Sequence, residues 1–131
     1  MSDEEPTGEL TLRTLAMPAD VNVNGDIFGG WVLSQMDIAA GIIAGGRANG
    51  RVATVAVDAM KFIRPVKVGD VLCIYASIDR VGTTSMGVGL EAWVRRSRVG
   101  GREKVTEATF TFVAIDSDGN PRPVPKEPVK V

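Results

Sequence analysis

An aspartate, Asp37, stands in a segment that is otherwise apolar on nearly every side, GWVLSQMDIAAGIIA, and the chain reaches it through a glycine-rich turn, NGDIFGG. A carboxylate and a glycine turn at that spacing could do acid–base chemistry on a carbonyl. In helical spacing Ser34, Asp37 and Gly41 share one stripe, the only one narrow and polar enough to face a cavity. A carboxylate without partners in an apolar sheath is costly, so Asp37 is expected to border a pocket that water reaches. The competing reading is a structural aspartate, bonded to backbone amides or paired with an arginine. The turn favours chemistry. Gly29 and Gly30 stand at the helix start, where the first N–H groups lack intrahelical acceptors and the macrodipole is positive, so an oxyanion can be held there. At ~1.5 Å rise per residue, Asp37 lies on the order of 10 Å along the axis from that end, and a long thin substrate group beside the helix could meet both. One preorganised donor contributes about 3 to 4 kcal/mol and a positioned base about 10²- to 10⁴-fold, enough for an activated acyl bond such as a thioester.

Composition removes the competing chemistries. The chain has no histidine, which excludes Ser-His-Asp and Cys-His catalysis, histidine metal sites and Asp-His dehydratase dyads. Its single cysteine, Cys73, can form neither an internal disulfide nor a cysteine-built metal site, and it alternates with Val71 and Tyr75 as a core residue does. A reducing, cytoplasmic compartment is expected. With 131 residues and a net charge of -1, the chain suits one domain and offers no global attraction for nucleic acid. The acidic start MSDEEPTGEL is unlike a secretory signal, and no apolar run approaches the ~20 residues of a membrane span.

The elements that must position Asp37 follow from periodicity. GELTLRTLAMP reads as a first strand of about half a dozen residues ending at Pro18; ADVNVNGDIFG is a loop, since Asn24-Gly25 is a strong turn pair and Gly29-Gly30 permits unusual backbone angles. The helix is expected from about Gly30 to Ala44, buried on most faces and stopped by Gly45-Gly46. Four period-two segments follow: RVATVAVDAMKFIRP, DVLCIYASIDRV, SMGVGLEAWVRRS and EKVTEATFTFVAID. In the last, Thr106, Ala108, Phe110, Phe112 and Ala114 share one face, and Val105, Glu107, Thr109, Thr111 and Val113 the other. The pattern is α+β: one domain over residues 1–131, with a core at about 9–115 and an extended, partly mobile, proline-rich tail over 116–131. A flat sheet cannot cover such a helix on all sides, so the sheet curls or a second chain supplies cover; a two-fold dimer with a continuous sheet would also remove free edges.

At this point the residues carry a resemblance. LRTLAMPADVNVNGDIFGGWVLSQMD, RVATVAVDAMKFIRPVKVGDVL and EAWVRR together resemble the YciA-type bacterial acyl-CoA thioesterases of the hot-dog fold, over about Leu10 to Pro125. The resemblance implies a long central helix wrapped by a five-stranded antiparallel sheet, a homodimer with a continuous ten-stranded sheet, and a trimer of such dimers. It implies hydrolysis of acyl-CoA to free acid and CoA at sites on the dimer interface, with no cofactor and no metal, CoA being part of substrate and product. Position by position, it makes Asp37 the catalytic aspartate, Gly30 the source of the amide that polarises the thioester carbonyl, and Asp26 a second site position that would complement Asp37 of the other subunit. Asp26 also has a plain reading, as a turn aspartate bonding its own backbone.

Around these, Asn24, Phe28, Gly29, Trp31, Ser34 and Thr54 are candidate substrate contacts; Phe28 and Trp31 could equally pack against the sheet. CoA is anionic, so cations must gather at the pocket mouth despite the near-neutral balance: Lys61, Arg64, Arg95, Arg96, Arg98 and Arg102 are the candidates. The VGTTS turn adds Thr84, although an ordinary hairpin explains it too. The competing functions are a noncatalytic acyl-CoA binding or sensing module, which gains nothing from an acid facing a thioester, and a hot-dog dehydratase, which in its usual forms needs a histidine.

Overall fold

The computed structural model describes residues 5–96 and 100–127; Arg98 and the final stretch of the tail, 128–131, lie outside them. In order come β1 (Glu9–Leu15), a single 3-10 turn (Pro18–Asp20), α1 (Gly29–Ala48), β2 (Val52–Phe62), β3 (Val71–Val81), β4 (Ser85–Arg95) and β5 (Arg102–Ala114). The strands form one five-stranded antiparallel sheet in the order β1-β3-β4-β5-β2, and α1 packs on all five. This is the expected hot-dog arrangement of a long helix in the curve of a sheet.

Alternation decides which face meets the helix. On β4, Met86, Val88, Leu90, Ala92 and Val94 are buried against α1, with Phe110, Phe112 and Ala114 beside them on β5. Each of the valine, leucine, methionine and phenylalanine side chains among these contributes about 1.5–3 kcal/mol when fully withdrawn from water. Val105 is buried as well, although it belongs to the wetter face by strict alternation; the register slips opposite it, between Ala92 and Trp93, and a bulge re-aims one residue. Cys73 is buried but on the outer face, paired in register with Trp93 rather than joined to the main core.

Three expectations are corrected. The helix does not stop at Gly45-Gly46. It runs to Ala48, because interior glycine weakens a helix without ending it; Asn49, left-handed at φ 53, ends it, and the Gly50 amide bonds the Gly45 carbonyl at 3.1 Å. Second, neither Gly29 nor Gly30 has a positive φ: both lie in the first turn of α1, and the left-handed angle in this region belongs to Gly25, at φ 83. Third, residues 116–127 are pinned instead of loose. Asp116 closes a turn with Asn120, Arg122 donates to the Ala48 carbonyl at 2.9 Å, and Arg47 donates to the Pro125 carbonyl at 2.7 Å. Two arginines thereby satisfy acceptors at and near the helix C-terminus, where the dipole favours cations.

The expectation that α1 is buried on most faces holds for one side only. Val32, Met36, Ala39, Ala40 and Ala44 face the sheet, whereas Leu33, Ile38 and Ile42 are 38%, 51% and 55% exposed. Along the edge strand β2, Val55 and Val57 are 56% and 42% exposed.

Candidate active site

The loop before α1 is built to hold its shape. Asn22 accepts the Asn24 and Asp26 amides on its side-chain oxygen at 2.9 and 3.2 Å, the Ile27 amide bonds the Val66 carbonyl at 2.9 Å, and the Phe28 amide bonds the Asp20 carbonyl at 3.0 Å. The helix start is therefore tied to the crossover, residues 63–70, that carries the chain from β2 to β3. Phe28, at the N-cap, provides no side-chain cap; its carbonyl accepts the Trp31 amide at 3.0 Å, and the Gly29 and Gly30 amides before it have no intrahelical acceptor. An added Cβ at Gly30 would meet nothing within 4 Å. Glycine at this helical position costs propensity and no neighbour among the described residues requires it, so the space in front of its amide is open.

Two turns along α1, the Asp37 carboxylate faces β2. The Thr54 hydroxyl donates to Asp37 Oδ1 at 2.6 Å. The register explains the encounter: Thr54 pairs with buried Phe112, which puts it on the inner face of the sheet at its free edge. Asp37 itself is half-buried, so the carboxylate is neither sealed in the core nor free in solvent. Its neighbour on the polar stripe, Ser34, donates to the Trp31 carbonyl at 2.7 Å, and Trp31 packs on the core.

Asp26 is paired with Lys67 of the crossover, a contact between residues 41 apart that no local spacing could announce. The same carboxylate borders a cavity of about 310 Å³, also lined by Ile27, Gly29, Val32, Phe62 and Arg64. Phe62 was not among the residues expected at the site. Its only sequence signal is a ring placed at a strand end, between Lys61 and the turn at Pro65.

The cations divide. The Arg64 Nη1 donates to the Lys104 carbonyl at 2.9 Å yet its side chain still borders the cavity. Arg96 is committed inside the chain: Nε lies 3.4 Å from Asp70 Oδ2, Nη2 donates to the Pro65 carbonyl at 2.7 Å, and Nη1 pairs with Glu103. Asp70 is 3% exposed and also accepts the Lys67 amide at 2.8 Å, so this cluster clamps the crossover to the ends of β4 and β5. Arg95, Lys61 and Arg102 are exposed. Asn24 is exposed in the loop and Phe28 is 53% exposed beside the helix start. Thr84 does not join them. It sits in the β3–β4 hairpin, where its carbonyl accepts the Ala114 amide at 2.9 Å, at the helix C-terminal end of the sheet.

The hot-dog scaffold, one long helix on a single five-stranded antiparallel sheet, agrees with the comparisons. The thioesterase superfamily sequence pattern matches residues 24–100, and the chain belongs to that superfamily. Within it the chain is 57% identical over 126 residues to the acyl-CoA thioester hydrolase YciA of Salmonella typhimurium, covering 94% of this chain and 95% of that one. It is 55% identical to YciA of Escherichia coli over 93% of this chain and 95% of that one. The family is thus that of the YciA-type acyl-CoA thioester hydrolases. Among solved structures, a hexameric thioesterase from Yersinia pestis superposes with a TM-score of 0.89 at 54% identity, over 94% of this chain and all of that one, 100%. A hexameric broad-specificity acyl-coenzyme A thioesterase gives 0.89 at 51% identity, over 92% and 89%.

Proposed function

We propose that this chain hydrolyses acyl-CoA thioesters to the free carboxylic acid and CoA, with Asp37 as general base and the Gly30 amide as donor to the thioester carbonyl. Asp37 takes a proton from a water whose oxygen attacks the carbonyl carbon. Negative charge collects on the carbonyl oxygen at the helix start, the C–S bond breaks, and the CoA sulfur leaves and is protonated. Water is the only co-reactant, so no cofactor or metal enters. The observation that carries this reading is the Thr54–Asp37 bond, which aims a half-buried carboxylate along the open edge of the sheet.

Geometry supports a site shared between two chains. A base must stand within ~3 Å, or one water, of the group it serves. Gly30 and Asp37 of one helix are on the order of 10 Å apart along its axis and so cannot both address one carbonyl. A two-fold dimer that pairs β2 with its copy would bring Gly30 and Asp26 of one subunit toward Asp37 of the other, and would cover Val55, Val57 and the open face of α1. The hexameric relatives favour three such dimers per assembly. No helix among the described residues is long and apolar enough to cross a membrane, and a buried lone thiol suits a reducing cytoplasm.

Release of free thiol from acyl-CoAs of graded length tests this, with Asp37→Asn as control. Turnover in the wild type and its loss by at least about 10²-fold in a variant of unchanged assembly are expected. Flat traces across the panel, or an active Asp37→Asn enzyme, overturn the reading. Single turnover in labelled water distinguishes the base from a nucleophile: isotope appearing in the Asp37 carboxylate would mean direct attack through a mixed anhydride.

A further inference from the structure

Gly29 has a neighbour that Gly30 lacks. A Cβ built on it would stand 3.2 Å from both Cε2 and Cζ of Phe62 and 3.8 Å from Cδ2. The ring at the end of β2 therefore lies against the first turn of α1, close enough that a side chain at position 29 would crowd it. The same ring is 48% exposed and borders the 310 Å³ cavity, whose inner wall is made by Val32 and Val66, 1% and 2% exposed, and whose rim carries Asp26 and Arg64. The depression is charged at its mouth and apolar at its floor. A phosphate-bearing group does not match that floor, and a hydrocarbon does. It is lined by Gly29, the residue before the Gly30 amide assigned above to the thioester carbonyl, so a chain attached to a carbonyl bound there can enter it.

We infer that Phe62, seated on Gly29, is a specificity-determining residue: its ring is the wall that limits the size of the acyl group beside the helix start. This rests on the hydrolase reading and adds to it the acyl subsite and the residue that sets its size. Two consequences separate the idea from a merely structural role. Truncation of the ring should widen the subsite and favour longer or branched acyl groups without touching the chemistry. Because a Cβ at position 29 would stand only 3.2 Å from the ring, Gly29→Ala should push the ring aside by a few tenths of an ångström, an effect that exists only while the ring is present, so the two substitutions should not combine additively.

The test is kcat/KM for a series of linear and branched acyl-CoAs with wild type, Phe62→Ala, Phe62→Leu, Gly29→Ala and the Gly29→Ala/Phe62→Ala pair, with oligomer size measured alongside. Discrimination of this kind is worth about tenfold or more per hydrocarbon increment. Phe62→Ala should shift the long-to-short ratio by at least about tenfold toward longer or branched substrates, with Phe62→Leu smaller in the same direction. Gly29→Ala should depress turnover, and the double variant should recover most of the loss. An unchanged ratio in both Phe62 variants overturns the inference, as does a Gly29→Ala defect of equal size with and without the ring. If Phe62→Ala does not assemble, Phe62→Leu decides alone. Absence of turnover in the wild type would instead remove the hydrolase reading, and the two failures are distinct.

Discussion

Thr54 and Asp37 meet across 2.6 Å, hydroxyl to carboxylate, and through them the edge strand fixes the direction of the acid on the central helix. Neither residue would hold that orientation alone. An unpartnered aspartate on a helix samples its rotamers, whereas a charge-assisted bond to a β-branched side chain restricts both. Four outcomes follow from this geometry and from the network around it.

Thr54→Val keeps the branched shape and removes the donor. It should lower kcat by about 10- to 100-fold, through misdirection of the base, with KM changed less. Thr54→Ser should retain more of the activity than Thr54→Val. Equal kcat in the valine variant and the wild type would remove Thr54 from the reaction.

Gly30→Ala separates catalysis from folding. No atom lies within 4 Å of the added Cβ and the backbone is helical, so helix propensity alone predicts unchanged or higher stability, by up to about 1 kcal/mol. Turnover should nevertheless fall, since the methyl group occupies the approach to the amide. Thermal unfolding and thiol release on one preparation check both halves; an alanine enzyme of full activity would refute the role given to this amide.

Arg96→Ala should act on stability first. It leaves Asp70, 3% exposed, without its guanidinium, although the Lys67 amide still bonds it. Because the arginine is partly solvated, the loss is discounted from a fully buried pair to about 1–3 kcal/mol. Denaturant unfolding measures it. A midpoint within error of the wild type, joined to a rise in KM for acyl-CoA, would return Arg96 to the substrate contacts.

Glu91 supplies a pH dependence. Burial alone pushes its carboxyl up, but the bonds from the Thr7 hydroxyl and amide and from Trp93, 2.9 Å away, together with the charge of Lys104, outweigh burial and hold it below the usual 4.5. With the folded value depressed, its contribution is fully present above about pH 4.5 and is lost as pH falls through the folded value. Glu91→Gln should therefore lower Tm near neutral pH by about 2–5 °C and narrow its gap from the wild type in acid. A gap that is constant from neutral to acid pH would contradict this.

What the sequence by itself determined was set by local rules. Period-two alternation named the five strands and, for the last of them, its two faces, the Asn24-Gly25 pair marked the loop that Gly25 turns, and the absence of histidine narrowed the chemistry to a carboxylate. Asp37 stood out because an acid in an apolar helix demands an explanation that short-range spacing can supply. The helix stop was misplaced because glycine signals a cap only where the backbone turns left-handed, and whether it does depends on what satisfies the last carbonyls. Only the tertiary structure decided the partners of the acids: Thr54 reaches Asp37 and Lys67 reaches Asp26 because strand register and the crossover bring distant segments together. The same is true of Phe62 on Gly29 and of Arg96 on Asp70. Such encounters are fixed by the closure of the sheet around the helix, a long-range event that leaves no periodic trace in the chain.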